Sequence, residues 1–371
     1  MIAMDRRLFT HLNWALIAFT ALLFFVGVAN LYSASGTRLE EGMEVSSFYQ
    51  KQLIWGGMGF LSMLVCMTFD YRHLKSLALP FFLITVALLL GVQLFGVVVY
   101  GARRWISLGL FNIQPSEVAK ITVLVMGALM LSKGKNSLNW KELSIIVGVG
   151  LIPAGLIVIQ PDLGTTLNLL LLLGGMILYH GIQWRVLKVC LCAVPLVAPL
   201  GWFCLHDYQK QRIMTFLDPS LDPHGSGYHI LQSQIAIGSG EMWGKGFLHG
   251  TQSQLRFLPE KHTDFAIAVF GEEWGFWGCI ALLVLICLFL LSICSTARDA
   301  KDRFGSTLAA GVFFYFFWQF LINMGMVMGL LPVVGIPMPF ISYGGTATLV
   351  NFCLIGLVLN VSMRRFVFKS S

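Results

Sequence analysis

The sequence predicts an all-α integral membrane protein with about ten transmembrane helices and one long extracytoplasmic loop between spans seven and eight. Three observations carry that prediction. The 371 residues are 57% hydrophobic and only 12% charged, with a mean hydropathy of +0.77, whereas soluble domains carry about 25% charged residues. The apolar residues gather into runs long enough to cross a bilayer, for which about 20 are needed. The basic residues divide unevenly between the loops joining those runs.

The runs fall at 12–32, 52–69, 76–98, 118–133, 143–160, 165–183, 186–205, 266–294, 308–331 and 346–363. They are too long and continuous for barrel strands, so helices are the expected spanning element. The first run exceeds a signal h-region of about 7–15 residues and reads as a retained span.

The N-terminus, the even-numbered connections and the C-terminus hold most of the basic residues, among them Arg6, Arg7, Arg72, Arg298, Arg303 and Arg364. Only five acids accompany them: Asp5, Asp70, Glu142, Asp299 and Asp302. The positive-inside rule places both termini in the cytoplasm and the odd loops outside. The net charge of +7 then follows from topology and does not call for nucleic acid.

One outer loop is long, about 206–264. Within it, "DYQKQRIMTFLDP" and "GYHILQSQIAIGSG" mix apolar and polar residues at helical spacing, as amphipathic helices lying in the interface would. No low-complexity linker or internal repeat interrupts the chain, so residues 1–371 read as one polytopic domain. The eight cysteines lie in or beside apolar runs, which argues against a disulfide framework or a zinc site. Cys190 and Cys192 stand too close for the usual metal pair.

With this topology the polar motifs share the outer side: "GARRWISLGLFNIQPSEVAK" (101–120), "QPDLGTT" (160–166), "LPEKHTDFAIAVFGEEWG" (258–275) and "LLPVVGIPMPFISYGG" (330–345). Each has a plain local reading. The prolines of "QPSE" and "QPD" suit a first helical turn, where a missing N–H costs little. Ser116, Asp162 and Asp264 suit helix termini, Glu117 and Lys120 suit an i, i+3 pair, and Gly344-Gly345 suits a turn. Together they exceed those readings. Arg103, Arg104, Glu117, Lys120, Asp162, Lys261, Asp264, Glu272 and Glu273 crowd one membrane face. Ionisable groups at membrane depth are costly and usually line a polar pathway or site.

These motifs closely resemble the SEDS family (shape, elongation, division and sporulation), in order from about residue 101 to 345. The form "PVVGIPMPFISYGG" and the short N-terminus resemble its elongation branch; the division branch tends towards "PTKGLTLP". One departure is Glu241 in "GSGEMWGKG", where glycine is expected.

The resemblance implies a peptidoglycan glycosyltransferase that polymerises lipid II at the outer face of the cytoplasmic (inner) membrane during cell elongation. It implies a class B penicillin-binding protein, the penicillin-binding protein 2 type transpeptidase, as partner within the elongation machinery. It places the catalytic aspartate on Asp264. Candidate substrate-binding residues are Arg103, Arg104, Glu117, Lys120, Asp162, Lys261 and Ser342.

The chemistry suits these residue types. A sugar hydroxyl is a poor nucleophile, so a positioned carboxylate must take its proton. A diphosphate leaves as an anion and needs positive charge around it. Arg103, Arg104, Lys120 and Lys261 are candidates, and a divalent cation, Mg or Mn, can share that task. A single displacement would invert the anomeric centre. Two rivals are a lipid II flippase, which should show a midplane site and internal repeats, and a noncatalytic scaffold, in which Asp264 would be replaceable. For the partner, spans eight and nine offer small residues for close packing: Gly275, Gly278 and Cys279, and Ala309, Ala310 and Gly311.

Overall fold

The computed structural model describes residues 11–35, 48–99, 102–107, 109, 112–134, 137–204, 207–223, 225–255, 257–258 and 260–365. Arg6, Arg7, Lys135, Lys369 and both extreme termini lie outside the described residues.

In chain order the elements are helix α1 (Trp14–Ala34), α2 (Phe48–Thr68) and α3 (Leu74–Phe95), then short strands β1 (Val97–Val99), β2 (Ala102–Ser107) and β3 (Asn112–Ile113). Next come α4 (Pro115–Lys133), α5 (Trp140–Ile159), α6 (Leu163–His180) and α7 (Trp184–Cys204). The long connection that follows holds α8 (Asp207–Leu217), α9 (Ser226–Ser239) and α10 (Thr251–Gln254). The chain closes with α11 (Ala266–Asp299), α12 (Arg303–Val327) and α13 (Gly345–Met363).

A long helix therefore occupies each of the ten predicted positions. Among the described residues eight are long and apolar enough to cross a membrane; α2 and α7 have the length of a span. Both stretches singled out in the long loop are helical, as α8 and α9.

Local signals set the helix starts. Asn13 accepts from the Leu16 amide and starts α1. Asn139 and Glu142 form a reciprocal capping box at α5, satisfying two otherwise orphaned donors. Pro115 opens α4, where its missing N–H is harmless. The start of α6 differs from expectation: Asp162 is the N-cap and Pro161 precedes it. Span three also stops early, at Phe95. The β-branched run Val97–Val99 pairs with β2, and β2 with β3, in a small antiparallel sheet that the all-α reading did not foresee.

α4, α12 and α13 form the enclosed centre of the bundle, while α3, α5 and much of α11 present apolar faces outward. Phe289, Phe316, Phe320, Phe340 and Phe352 stack edge and face across α11, α12, α13 and the segment before α13. Such aromatic contacts add stabilisation beyond area burial, about 0.5–1.5 kcal/mol per pair.

The even-numbered connections gather at one end. Lys75 pairs with Asp302 at 3.1 Å and Arg365 with Asp299 at 2.7 Å, and Leu138 bridges Ile182. The polar motifs lie at the other end.

α11 is broken at Gly275, which has φ 62° and ψ −161°. Such a break strands the carbonyls of Glu272 and Glu273 and the amides of Phe276 and Trp277. The turn after α9 supplies all four partners. Lys245 and Gly246 amides donate to the Glu272 and Glu273 carbonyls, each at 3.0 Å, and Phe276 and Trp277 amides donate to the Glu241 and Met242 carbonyls at 2.9 and 3.3 Å. In that tight turn Glu241 takes φ 48°. This is the left-handed region that glycine tolerates best, so the unexpected glutamate occupies a position suited to glycine.

Candidate active site

Asp264 sits at the end of a tight turn just before α11 begins. Thr263 and Phe265 amides close the turn on the Glu260 carbonyl, and the Tyr343 amide donates to the His262 carbonyl at 2.8 Å. Behind it, Asn323 of α12 donates to the Asp264 carbonyl at 2.9 Å and to the Ile336 carbonyl at 2.8 Å. One buried amide thus fastens the Asp264 turn to the segment leading into α13. Gly335 lies in front, at φ 73°, and a Cβ there would stand 3.3 Å from Asp264 Oδ2. The plain reading of Asp264 as a helix cap does not hold, because Phe265 is the N-cap and no side chain caps α11.

Asp264 is half-buried, and its carboxyl is pushed up to about 6. Burial is the main cause, the negative charges of Glu260 and Asp162 add to it, and Arg212 opposes it. Burial disfavours the charged form of a carboxyl, and like charges do the same. At neutral pH this group is still mostly ionised, and so able to accept a proton. His262 beside it is driven down to about 4 by burial and by Lys261, so it is neutral there.

Asp162, the N-cap of α6, lies near enough to act on the Asp264 carboxyl. It accepts from the Thr165 amide and hydroxyl at 3.2 and 2.9 Å, and from Gln114 Nε2 at 3.2 Å. Gly164 lets α6 approach the chain at Val334–Ile336, where a Cβ would fall 2.5 Å from the Val334 carbonyl oxygen.

Gln114 leads into α4, whose Glu117 and Lys120 form a 2.6 Å ion pair with both residues 4% exposed. Lys120 Nζ also lies 5.3 Å from the centre of the Tyr315 ring, and Tyr315 donates to Asn351 at 2.8 Å. Among the described residues Glu117 Oε2 has no hydrogen-bond partner.

The other expected substrate-binding residues are engaged as follows. Arg104 donates through Nε to the Gln160 carbonyl at 3.1 Å and through Nη2 to the Pro161 carbonyl, bracing the β2 loop against the start of α6. Arg103 is exposed and reaches the Gln93 carbonyl at 3.4 Å. Lys261 donates to the Ser253 carbonyl at 2.5 Å. Ser342 Oγ is buried and accepts from the Met338 amide at 2.9 Å, so that hydroxyl closes its own turn. Asp264 therefore lies against the Val333–Ile336 segment with the start of α6 packed on that segment beside it, Glu117 and Lys120 lie inside the bundle near Asp162, and Ser342 is part of the scaffold.

Arg212 of α8, missed by the sequence reading, donates to the Val333 carbonyl at 3.1 Å. It flanks the segment that Asp264 faces and is the cation acting on that carboxylate. Its only sequence signal is membership of an amphipathic stretch. Asn323 and Gln114 were also missed, although an amide side chain in an apolar helix such as α12 is a recognisable signal, because polar side chains there usually bond across helices. Among the described residues no three His, Cys, Asp or Glu side chains group as a metal site.

A carboxylate with a raised pKa, a neighbouring arginine and a polar rim suit proton removal from a hydroxyl next to an anionic leaving group.

Comparison with known proteins gives concordant results. The family of cell cycle proteins comprising FtsW, RodA and SpoVE matches residues 13–366. The chain is 39% identical to peptidoglycan glycosyltransferase MrdB of Escherichia coli K12, covering 97% of this chain and 96% of that protein. It is 31% identical to peptidoglycan glycosyltransferase RodA of Treponema pallidum, covering 95% and 98%. Among solved structures, a chain of a peptidoglycan synthase complex that coordinates polymerization and crosslinking superposes with a TM-score of 0.81 at 29% identity, covering 99% of both chains. The rod shape determining protein RodA of Thermus thermophilus superposes with a TM-score of 0.71 at 26% identity, covering 96% and 98%.

Proposed function

The chain belongs to the FtsW/RodA/SpoVE family of cell cycle proteins, and on that premise we infer that it is a peptidoglycan glycosyltransferase polymerising lipid II during cell elongation. The observation that carries the mechanism is Asp264: a half-buried carboxyl raised to about 6, fixed by its backbone to α12 and the pre-α13 segment.

In this mechanism the acceptor sugar hydroxyl attacks the anomeric carbon of the donor. Asp264 takes the hydroxyl proton as the new glycosidic bond forms, and the lipid-linked diphosphate leaves with the electron pair of the broken bond. The diphosphate departs as an anion, so no acid is required on that side. Arg212 is the cation nearest in its effect on Asp264, and Arg103 lies exposed on the rim; these two offer the positive charge that stabilises the departing oxygens. A single displacement inverts the anomeric centre. Asp162, tied to α4 through Gln114, shapes the opposite wall. A divalent cation, Mg or Mn, would enter with the diphosphate oxygens, which coordinate such ions well.

The protein works in the cytoplasmic (inner) membrane with its termini inside and this site outside, where a lipid-anchored sugar diphosphate meets water. Its partner is a class B transpeptidase of the penicillin-binding protein 2 type. The surface open to that partner's helix is the outward face of α11 beyond its break, with Trp277, Leu283, Val284 and Leu291 exposed. The small residues of α12 do not contribute: Ala309 and Ala310 are buried, and a Cβ at Gly311 would stand 2.9 Å from Met176 Sδ.

The test is direct. The purified protein, with its transpeptidase, is given labelled lipid II, and glycan chains are resolved by length. Polymer is expected; movement of lipid II across vesicles without polymer would favour a transporter.

A further inference from the structure

Glu272 is a fully buried carboxylate saturated by protein donors. Its Oε1 accepts from Lys245 Nζ at 2.7 Å, from Thr251 Oγ1 at 3.0 Å and from the Gln252 amide at 2.9 Å. Its Oε2 accepts from the Ser253 amide at 3.3 Å. Lys245 Nζ also reaches Thr251 Oγ1 at 2.7 Å. These bonds bind the four-residue helix α10 to the first part of α11. Gly250 makes room for them, since a Cβ there would lie 2.6 Å from Ser253 Oγ and 3.0 Å from Glu272 Oε2.

The same α10 carries the next link. Lys261 Nζ donates to the Ser253 carbonyl, so Ser253 is held by Glu272 through its amide and by Lys261 through its carbonyl. Lys261 belongs to the turn that ends at Asp264, and that turn is closed on Glu260. A continuous path of polar contacts therefore runs from Glu272 through Ser253 to the turn bearing the base. Buried polar networks of this kind rigidify what they connect when fully satisfied.

We propose that Glu272, Lys245 and Lys261 form a clasp that orients Asp264, and that Lys261 is a positioning residue, not a ligand of the substrate diphosphate. The proposal rests on Asp264 being the base. A base held off its productive geometry loses rate, and a shift near 1 Å can cost about 100-fold. Substrate contacts elsewhere are unchanged, so the loss falls on kcat and not on KM. A lysine that bound diphosphate in ground and transition state alike would show the opposite pattern, a raised KM with kcat retained.

The experiment measures steady-state lipid II polymerisation per folded enzyme, with the partner transpeptidase present. Lys261→Met is expected to lower kcat by about tenfold or more with KM within about twofold, and Lys261→Arg, which keeps a donor, to recover most of the loss. Glu272→Gln should lower kcat in the same way. The double variant should be little worse than the poorer single, because both act through Ser253. A raised KM with retained kcat in Lys261→Met would overturn the proposal in favour of substrate contact. Wild-type kinetics, or losses that multiply in the double variant, would also overturn it. If Glu272→Gln does not fold, the two Lys261 variants decide alone. Asp264→Asn is assayed in parallel: wild-type turnover there would remove the base itself, a failure distinct from that of the clasp.

Discussion

Lys120 and Glu117 are locked together one helical turn apart, Nζ to Oε1 at 2.6 Å, with both side chains at most 6% exposed. An ion pair so enclosed makes each charge depend on the other. Removing one partner of a buried pair strands the other, at a cost of about 3–5 kcal/mol. Lys120→Met and Glu117→Gln should each sharply reduce thermal stability and polymerisation. The double variant should lose less than the two singles added together, and simple additivity would show that the charges act independently.

Glu241 gives a prediction of opposite sign. Its left-handed backbone, φ 48°, costs a non-glycine residue about 1–2 kcal/mol. Glycine removes that strain but adds unfolded-state freedom worth about 0.4–1 kcal/mol. Glu241→Gly should therefore stabilise the protein by up to about 1.6 kcal/mol and leave polymerisation intact. A lower Tm in detergent would contradict the role assigned to this turn beside the Gly275 break.

The pH dependence follows from Asp264. A base works only when deprotonated, and its carboxyl is raised to about 6 against about 4 for an unperturbed aspartate. Turnover should therefore fall as pH drops through 6, with an acid limb centred near that value. Asp264 is flanked by Glu260, Arg212 and Asp162. Arg212→Gln removes an opposing charge and should move the limb to higher pH. A limb near 4 in the wild-type protein would show that Asp264 is not held as described.

The partner surface is testable by contrast. Val284→Trp and Leu288→Trp alter side chains on the open face of α11 and should weaken co-purification with the transpeptidase without unfolding the bundle. Gly311→Leu, by contrast, fills a close internal contact with Met176 and Leu124 and should lower stability itself. Unaltered co-purification for both α11 variants would place the partner on another face.

The helices are legible in the sequence because a bilayer demands long apolar runs and tolerates little else. That the segments bearing Arg104, Asp162 and Asp264 lie at one end of the bundle is legible because alternate connections between spans must share a side. The break at Gly275 is not legible: one glycine in an apolar run looks like any helical glycine until the turn at Glu241–Gly246 supplies the missing bonds. The β1–β3 sheet hid for a related reason, since Val97–Val99 continues an apolar run and only pairing with β2 makes it a strand. Arg212 and Asn323 carry no local motif, and their roles come from chain segments brought together across the fold. Lys261 and Ser342 show the converse. Their motifs marked them, but the sequence could not say that both are bonded to their own loops.

The most direct measurement is lipid II polymerisation by Asp264→Asn, purified with the partner transpeptidase. The substitution keeps the side chain's shape and leaves the Asn323 bond, which uses the Asp264 backbone carbonyl. It removes only the group that accepts the proton. Removal of a general base lowers rate by about 10²–10⁴-fold, so folded protein with wild-type affinity for lipid II and at least that loss of polymer is the expected result. Polymer at the wild-type rate would contradict Asp264 as the base.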